Sequence, residues 1–335
     1  MSDIMNILLV SDENYAILST VLMTSILENS SNDFDEINIF LLNNNITENS
    51  LEKIKSLKTK YEKLKLHIIN KSLIEEKLIN IKDELPTKNL SYFYRLFMTQ
   101  ILPDDIEKIL YMDSDIIVDS SLVDLYNEDI DNVYCAGIID INEVVFKELL
   151  GMKREDYYIN SGVLLVNFQK WLKEDITGQS IDFINSTRSK ELLYDQHIIN
   201  YILKNNIKIL EPKFNVLTHM FTLNYERFMS VFRIRDGVFT KKEYLEAQSN
   251  PSVIHYIGSP WRRPWELDCK HPKQDLFFKY KDISPYSSHE IKYKSLDRKT
   301  MIKSAIVRFV FTYFPVKLAS YMNKKNILNL RWFVT

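Results

Sequence analysis

The chain has 335 residues, 45% of them hydrophobic, and a formal net charge of −2. That is enough apolar material for a full core, in one large domain or two, and the near-neutral charge carries no global signal for nucleic acid. Cys135 and Cys269 are too few for a disulfide framework, so a reducing compartment, the cytoplasm, is the expectation.

In chain order, Asn6–Val10 is an apolar run too short for a signal-peptide core and not preceded by a basic region. It reads as a buried first strand, over Ile7–Val10, followed by a helix around Ile17–Leu27 with apolar residues at helical spacing. Ile37–Leu42 reads as a second strand, Leu51–Leu64 as a charged amphipathic helix and Leu66–Ile69 as a third strand. Leu90–Ile101 has helical periodicity and stops before Pro103, and Ile109–Met112 is a strand ending abruptly at Asp113-Ser-Asp115. This β-α-β-α order argues for an α/β domain with a mainly parallel sheet, whose ligands bind beyond the carboxyl ends of the strands. Further on, Val133–Ile138, Gly162–Asn167 and Val253–Tyr256 suggest strands and Leu193–Leu203 a helix. Residues 218–250 show little periodicity and read as loops. The longest apolar stretch, Ile306–Val316, is interrupted by Arg308 and Pro315 and cannot span a bilayer as a helix.

The chemistry gathers at strand ends. In Asp113-Ser114-Asp115, two carboxylates flanking one residue can project to the same side and hold a hard divalent cation that carries a nucleotide diphosphate. Asp33-Phe-Asp35 and Asp129-Ile-Asp131 share the pattern, but only Asp113–Asp115 lies between two apolar runs; a solvated turn between strands is the plain alternative. Ser11-Asp12-Glu13-Asn14-Tyr15 offers an Asp and an Asn for a uracil edge and a ring for stacking, or merely a helix N-cap. In Tyr158-Ile-Asn160-Ser-Gly162, the glycine permits close backbone approach to a ligand and Asn160 can read hydroxyls. Asp195-Gln196 heads a helix with two polar groups suited to a polyol, or to capping. In the segment His255-Tyr-Ile-Gly258-Ser-Pro-Trp-Arg262-Arg263-Pro-Trp265, a histidine ending a strand can ligate metal. Gly258 and the guanidinium groups can meet phosphate oxygens.

Taken together and in order, these five elements resemble family 8 of the retaining glycosyltransferases over about residues 5–270. The bacterial lipo-oligosaccharide branch is similar at Asp156–Asn167 and at Lys213-Phe-Asn215. The resemblance implies a single-domain glycosyltransferase A type α/β fold with a mainly parallel central sheet, and a basic amphipathic C-terminal tail. It implies Asp113, Asp115 and His255 as ligands of Mn²⁺, with Mg²⁺ as the alternative, and Asp12, Asn14 and Tyr15 on the uridine of a UDP-sugar. Arg95, Asp113 and Ser114 would reach the donor, and Asn160, Asp195 and Gln196 would surround the transferred sugar. Gly258 would bind diphosphate with a following basic residue. The family pattern there is His-x-x-Gly-x-x-Lys-Pro-Trp; this chain has two extra residues and Arg263 in the lysine place, which leaves Arg262 and Arg263 as alternatives.

The implied reaction moves a hexose from UDP-glucose or UDP-galactose, with the α configuration retained, to a carbohydrate acceptor, lipid-linked ones included, of a cell-surface glycan. The competing readings are a sugar-nucleotide-forming nucleotidyltransferase, which lacks its expected glycine-rich phosphate loop at Ser11–Leu18, and a non-catalytic UDP-sugar-binding scaffold. The expected division is a catalytic domain over 1–280 and a basic, aromatic extension over 281–335. After Asp297 no acidic residue occurs, while Arg298, Lys299, Lys303, Arg308, Lys317, Lys324, Lys325 and Arg331 are basic. With Phe309, Phe311, Phe314 and Trp332 at the interface, that extension is expected to hold the protein peripherally on the anionic inner face of the membrane. A helical pair packed on the core is the alternative, and deletion of 299–335 is expected to leave the chemistry intact.

Overall fold

The computed structural model describes residues 3–78, 90–187, 189, 192–258, 261–267, 269–291 and 298–324. Among these, ten strands make two sheets: β1 (Ile4–Asp12), β2 (Glu36–Asn44), β3 (Leu64–Asn70), β4 (Lys108–Met112), β5 (Ile116–Val118), β6 (Cys135–Gly137), β7 (Val163–Asn167), β8 (Ile207–Ile209), β9 (Val216–Leu217) and β10 (Val253–His255). The larger sheet has the order β3-β2-β1-β4-β7-β6-β8, and the smaller one β5-β10-β9. In the larger sheet, β7 runs antiparallel to both its neighbours, β4 and β6, and the other pairs are parallel. The mainly parallel α/β architecture expected from the sequence is what the chain adopts.

Burial on both faces explains why these strands read as apolar runs rather than as alternating patterns. β1 places Met5, Ile7 and Leu9 in one hydrophobic cluster and Leu8 in another across the sheet; β2 divides Ile37, Ile39 and Leu41 from Phe40 and Leu42 in the same way. The helix Ala16–Ser30 is buried on nearly every side. Its Leu22, Met23 and Ile26 pack in the main core, and Leu18 and Val21 join Ile117, Ile254 and Tyr256 of the small sheet. The chain order reverses at β1, between β2 and β4, so the crevice beyond the carboxyl ends of β1 and β4 is the expected ligand site of such a sheet.

Several sequence expectations are corrected. The helix expected over Leu51–Leu64 is instead Glu48–Lys55 plus a short turn, Leu57–Lys60. Tyr61 turns extended, because Leu64 is taken by the sheet opposite Ile37. Leu90–Gln100 winds with 3₁₀ geometry. Residues 218–250 hold three helices, Thr218–Thr222, Tyr225–Phe232 and Lys241–Ser249, not loops. Their rings Phe228, Phe232 and Tyr244, with Phe239 of the intervening turn, pack edge-on, tilted or stacked against one another, so packing rather than a clean 3.6-residue stripe stabilises them.

The tail forms helices Arg298–Tyr313 and Val316–Lys324, broken at Pro315. Val307, Val310, Phe311 and Ala319 belong to the main hydrophobic cluster, and Phe311 lies against Trp261, Phe232 and His219. Phe311 is therefore a core residue, not an interfacial one: it falls on the same helical face as Val307 and Ser304. Phe309 is exposed and Phe314 half-buried, while Trp332, Lys325 and Arg331 lie outside the described residues. No described helix is long and apolar enough to cross a membrane.

Candidate functional site

Pairing register brings the site together. Met112 pairs with Val163, which sets Asp113 beside Gly162, and the Asp113 N–H donates to the Gly162 carbonyl at 2.8 Å. Ile116 pairs with His255, and the Tyr256 N–H donates to the Asp115 carbonyl at 2.9 Å. Asp113-Ser114-Asp115 thus links the two sheets, with the first carboxylate leaving β4 and the second entering β5. His255 closes β10 on the same edge. Ligand atoms of Asp113, Asp115 and His255 all lie within 4.8 Å of one another. This is no solvated turn: Ser114, Asp115 and His255 are buried. The Ser114 hydroxyl is held by the Val10 carbonyl at 3.1 Å and lies 2.8 Å from the Ser19 hydroxyl, an anchoring role rather than an open one.

Gly162 leaves the room. A Cβ there would stand 2.3 Å from His255 Cε1, 2.8 Å from His255 Nδ1 and 2.9 Å from Asp113 Oδ2. Two carboxylates and an imidazole within 4.8 Å of one another, with glycine leaving room beside Asp113 and His255, fit a divalent cation such as Mn²⁺ or Mg²⁺.

Charge is balanced tightly around this cluster. Burial would raise the Asp115 carboxyl, but the surroundings, with His255 at 3.1 Å and Arg263 at 3.1 Å, outweigh it and hold it below the usual carboxylate range. Burial disfavours the Arg95 charge, yet Asp113 and Asp195 more than restore it, leaving the guanidinium above its ordinary value. Arg95 meets Asp113 at 2.9 Å and Asp195 at 2.8 Å, donates to the Ser161 carbonyl at 2.7 Å and stacks on Tyr111. Tyr111 in turn donates to Asp113 at 2.7 Å. Burial pushes the Asp195 carboxyl up, against the pull of Arg95.

The other expected residues divide. Asn160 and Gln196 sit in the same network: Gln196 accepts from the Ser161 N–H at 3.0 Å, and both side-chain amides donate to Asp140, at 3.1 Å from Asn160 and 3.3 Å from Gln196. Asp12 caps the turn at Tyr15, accepting its N–H at 3.1 Å, while Asn14 and Tyr15 are exposed at the mouth. Burial raises the Tyr15 and Tyr92 phenols, and the positive charge of Arg263 opposes this, which sets both rings near that guanidinium. Gly258 is buried just past β10. The two arginines part company. Arg263 turns inward to Asp115 and donates from Nε to the Tyr256 carbonyl. Arg262, in the left-handed region at φ 69°, turns away and donates to Ser304 of the tail at 3.0 Å. Arg262 therefore stands outside the cluster.

Sequence reading assigned no role to Asp140, Asn215, Tyr111, Ser161 or Tyr92, although Asn215 and Ser161 lie within motifs it singled out. Asp140 had one available signal: a lone acid in the apolar run Ile138-Ile-Asp140-Ile. It ends buried, with its carboxyl raised by burial despite hydrogen bonds from Asn160 and Gln196. Tyr111 is masked in the sequence as one more apolar residue of β4.

The sequence profile of the glycosyl transferases of family 8 matches residues 6–267. The chain belongs to that family. As a glycosyltransferase of this type it binds a nucleotide-sugar donor and a carbohydrate acceptor. It is 28% identical over 298 residues to the lipopolysaccharide 1,2-glucosyltransferase of Escherichia coli, covering 86% of this chain and 80% of that protein. To the lipopolysaccharide 1,3-galactosyltransferase of Salmonella typhimurium it is 25% identical over 252 residues, 69% of each. General stress protein A of Bacillus subtilis is 23% identical over 290 residues, 85% of this chain and 96% of that one. The crystal structure of the galactosyltransferase LgtC with donor and acceptor sugar analogues superposes with a TM-score of 0.66 at 23% identity, over 88% of this chain and 98% of that chain. The fold of this family 8 glycosyltransferase is thus the glycosyltransferase A type.

Proposed function

We propose that this family 8 enzyme transfers a hexose, glucose or galactose, from a UDP-sugar to a carbohydrate acceptor of a cell-surface glycan, with the α configuration retained. The observation that carries the reading is the convergence of Asp113, Asp115 and His255 within 4.8 Å of one another, with Gly162 leaving room beside Asp113 and His255. These three would hold Mn²⁺, or Mg²⁺ in its place, and the cation when bound supplies positive charge to the diphosphate. Tyr15 and Asn14, exposed beside Asp12, which caps their turn, would with it take the uridine, with Arg263 and Gly258 on the diphosphate. Arg263 rather than Arg262 takes that role, because Arg262 is held by the tail.

The glycosidic C1–O bond breaks toward the diphosphate, whose growing charge Arg263 opposes. Asp195, Gln196 and Asn160 would fix the sugar hydroxyls. Asp195 is ion-paired to Arg95, and Asp140 is buried under two amides, so neither carboxylate is a free nucleophile for a covalent intermediate. That arrangement favours attack by the acceptor hydroxyl on the same face as the departing oxygen, which accepts the hydroxyl proton. Family membership favours this reading over a nucleotidyltransferase.

For the tail, residues 281–335, the reading is peripheral attachment to an anionic membrane at the cytoplasmic side. Ile302, Ile306, Phe309 and Tyr313 are exposed at i, i+4, i+7 and i+11 along one side of the helix Arg298–Tyr313. Calorimetric titration of UDP with and without Mn²⁺, and hydrolysis of UDP-sugars without acceptor, test the central claim. UDP and Mn²⁺ should each strengthen the other's binding, as linkage requires, and Asp115→Ala should abolish both coupling and turnover in a folded protein. A non-catalytic scaffold would show the coupling without the hydrolysis. Equal UDP affinity with and without Mn²⁺ would end the metal reading.

A further inference from the structure

Asn215 precedes β9 and is completely buried, and its side chain joins the two halves of the site. Its Oδ1 lies 3.1 Å from His255 Nδ1, and its Nδ2 lies 3.1 Å from Asn160 Oδ1. The direction of every hydrogen bond in this row follows from one group. The Gly162 N–H can only donate, and it points at Asn160 Oδ1 at 3.1 Å. The oxygen of Asn160 is therefore an acceptor, and its amide nitrogen faces the Asp140 carboxylate at 3.1 Å. Asn215, meeting that same oxygen, must present its own NH₂ to it. Its carbonyl is then left for His255, so His255 Nδ1 must carry a hydrogen. Nε2 is the nitrogen that faces Asp115 Oδ1, 3.1 Å away, on the side of the acidic cluster.

We propose that Asn215 is a positioning residue that fixes the Nδ1–H tautomer of His255 and so presents Nε2 to the divalent cation; the cation clause rests on the metal reading given above. The alternative tautomer has a strong attraction. Asp115 Oδ1 is the most basic acceptor beside the ring, and without Asn215 it would draw the single proton of the neutral imidazole to Nε2, where no lone pair remains for a metal. A hydrogen bond at the distal ring nitrogen is the usual way proteins settle this choice, and its removal weakens metal binding by about 10- to 100-fold. The row also couples the cation site to Asn160, one of the residues assigned to the sugar, through a single buried amide.

Two measurements on the full-length protein test this. Long-range ¹H–¹⁵N correlation spectra of metal-free protein at alkaline pH read the His255 tautomer directly. Calorimetric titration with Mn²⁺ in the presence of UDP reads ligation. Wild type should show Nδ1–H. Asn215→Leu should shift His255 toward Nε2–H and weaken Mn²⁺ binding by about 10- to 100-fold, with an unchanged circular dichroism spectrum. Asn215→Asp, which still accepts from Nδ1–H but no longer donates to Asn160, should keep the wild-type tautomer. A wild-type Nε2–H tautomer overturns the assignment, as does wild-type Mn²⁺ affinity in folded Asn215→Leu. If the leucine variant does not fold, an Nε2–H tautomer in Asn215→Asp overturns it equally. Wild-type protein that binds no Mn²⁺ sinks the metal reading and the cation half of this proposal, while the tautomer spectrum still judges the role of Asn215.

Discussion

Replacing Gly162 with alanine is the smallest perturbation that separates this site from a merely well-packed strand end. Gly162 is outside the left-handed region, so the new methyl group meets no backbone penalty and its effect is steric. The added Cβ would stand 2.3 Å from His255 Cε1, whereas carbon atoms settle at about 3.5–4.0 Å, so ring or strand must move by about 1 Å. The ring has little freedom to yield, since it is buried between Asn215 and Asp115. Overpacking of this kind costs about 1–3 kcal/mol of stability, which a domain of this size survives. Ligation is less forgiving, because metal–ligand distances tolerate about 0.2 Å, and a misplacement of about 1 Å at a reacting centre costs about 100-fold in rate. Gly162→Ala should therefore melt only slightly earlier than wild type yet lose about 100-fold or more of Mn²⁺-dependent turnover. Thermal unfolding and UDP-sugar hydrolysis measure the two quantities in parallel. Near wild-type hydrolysis in the alanine variant would refute the cradle and the site built on it.

The arginine pair gives a second contrast: Arg263→Ala should weaken UDP binding by about 10- to 100-fold, the worth of a charged hydrogen bond. Arg262→Ala should leave UDP binding unchanged and lower the melting temperature, because it removes the buried bond to Ser304; equal losses of UDP affinity would refute the division. A third prediction concerns acid. Burial holds His219 and His271 down to about 3, and neither ring nitrogen of His219 has a hydrogen-bond partner. The unfolded chain takes up these protons near pH 6.5, the folded one only near pH 3, so their contribution is whole above 6.5 and is lost as pH falls toward 3. Each histidine adds a slope of about 1.4 kcal/mol per pH unit across that window. His219→Leu should flatten the pH dependence of denaturant-measured stability below 6.5 by one such contribution, and an unchanged slope would count against it.

How much was legible depended on whether a residue's role is local. β1, β2 and β4 announced themselves because both their faces are buried, which leaves unbroken apolar runs in the sequence. Asp113 and His255 were readable because each ends such a run, and Asp115 because it opens the next one. What could not be read was set by contacts across the fold. Arg262 and Arg263 are adjacent and chemically alike; only the left-handed turn at Arg262 and the tail's Ser304 send one outward and the other to Asp115. Asn215 lies in the Lys213-Phe-Asn215 motif, but its role was not readable there, since that role lies in the partners that the fold brings to it, His255 and Asn160. The helices between 218 and 250 were hidden because mutual aromatic packing, not a clean helical stripe, stabilises them, although Thr240 and Glu243 form a capping box that was open to reading.

The tail is where local reading and tertiary packing conflict most, and the conflict yields its own test. Phe309 and Phe311 are two residues apart in one basic, aromatic helix, about 200° apart around its axis. Phe311 is wholly buried against Trp261 and His219, whereas Phe309 is 55% exposed and Tyr313 73% exposed. Deleting the tail would uncover Trp261, two residues before Arg263, and His219, which packs against Trp261, so it would confound attachment with folding. Point variants separate them. Phe311→Ala should cost about 3–5 kcal/mol, the usual loss for a buried phenylalanine. The double variant Phe309→Ser, Tyr313→Ser should stay within about 0.5 kcal/mol of wild-type stability, as exposed substitutions do. If that stripe meets a bilayer, the same double variant forfeits about 1.5–3 kcal/mol per ring of membrane affinity and should no longer float with anionic vesicles, while its UDP-sugar hydrolysis in solution is unchanged. Equal flotation of the double variant and wild type would show that the exposed stripe is not what holds this enzyme at a membrane.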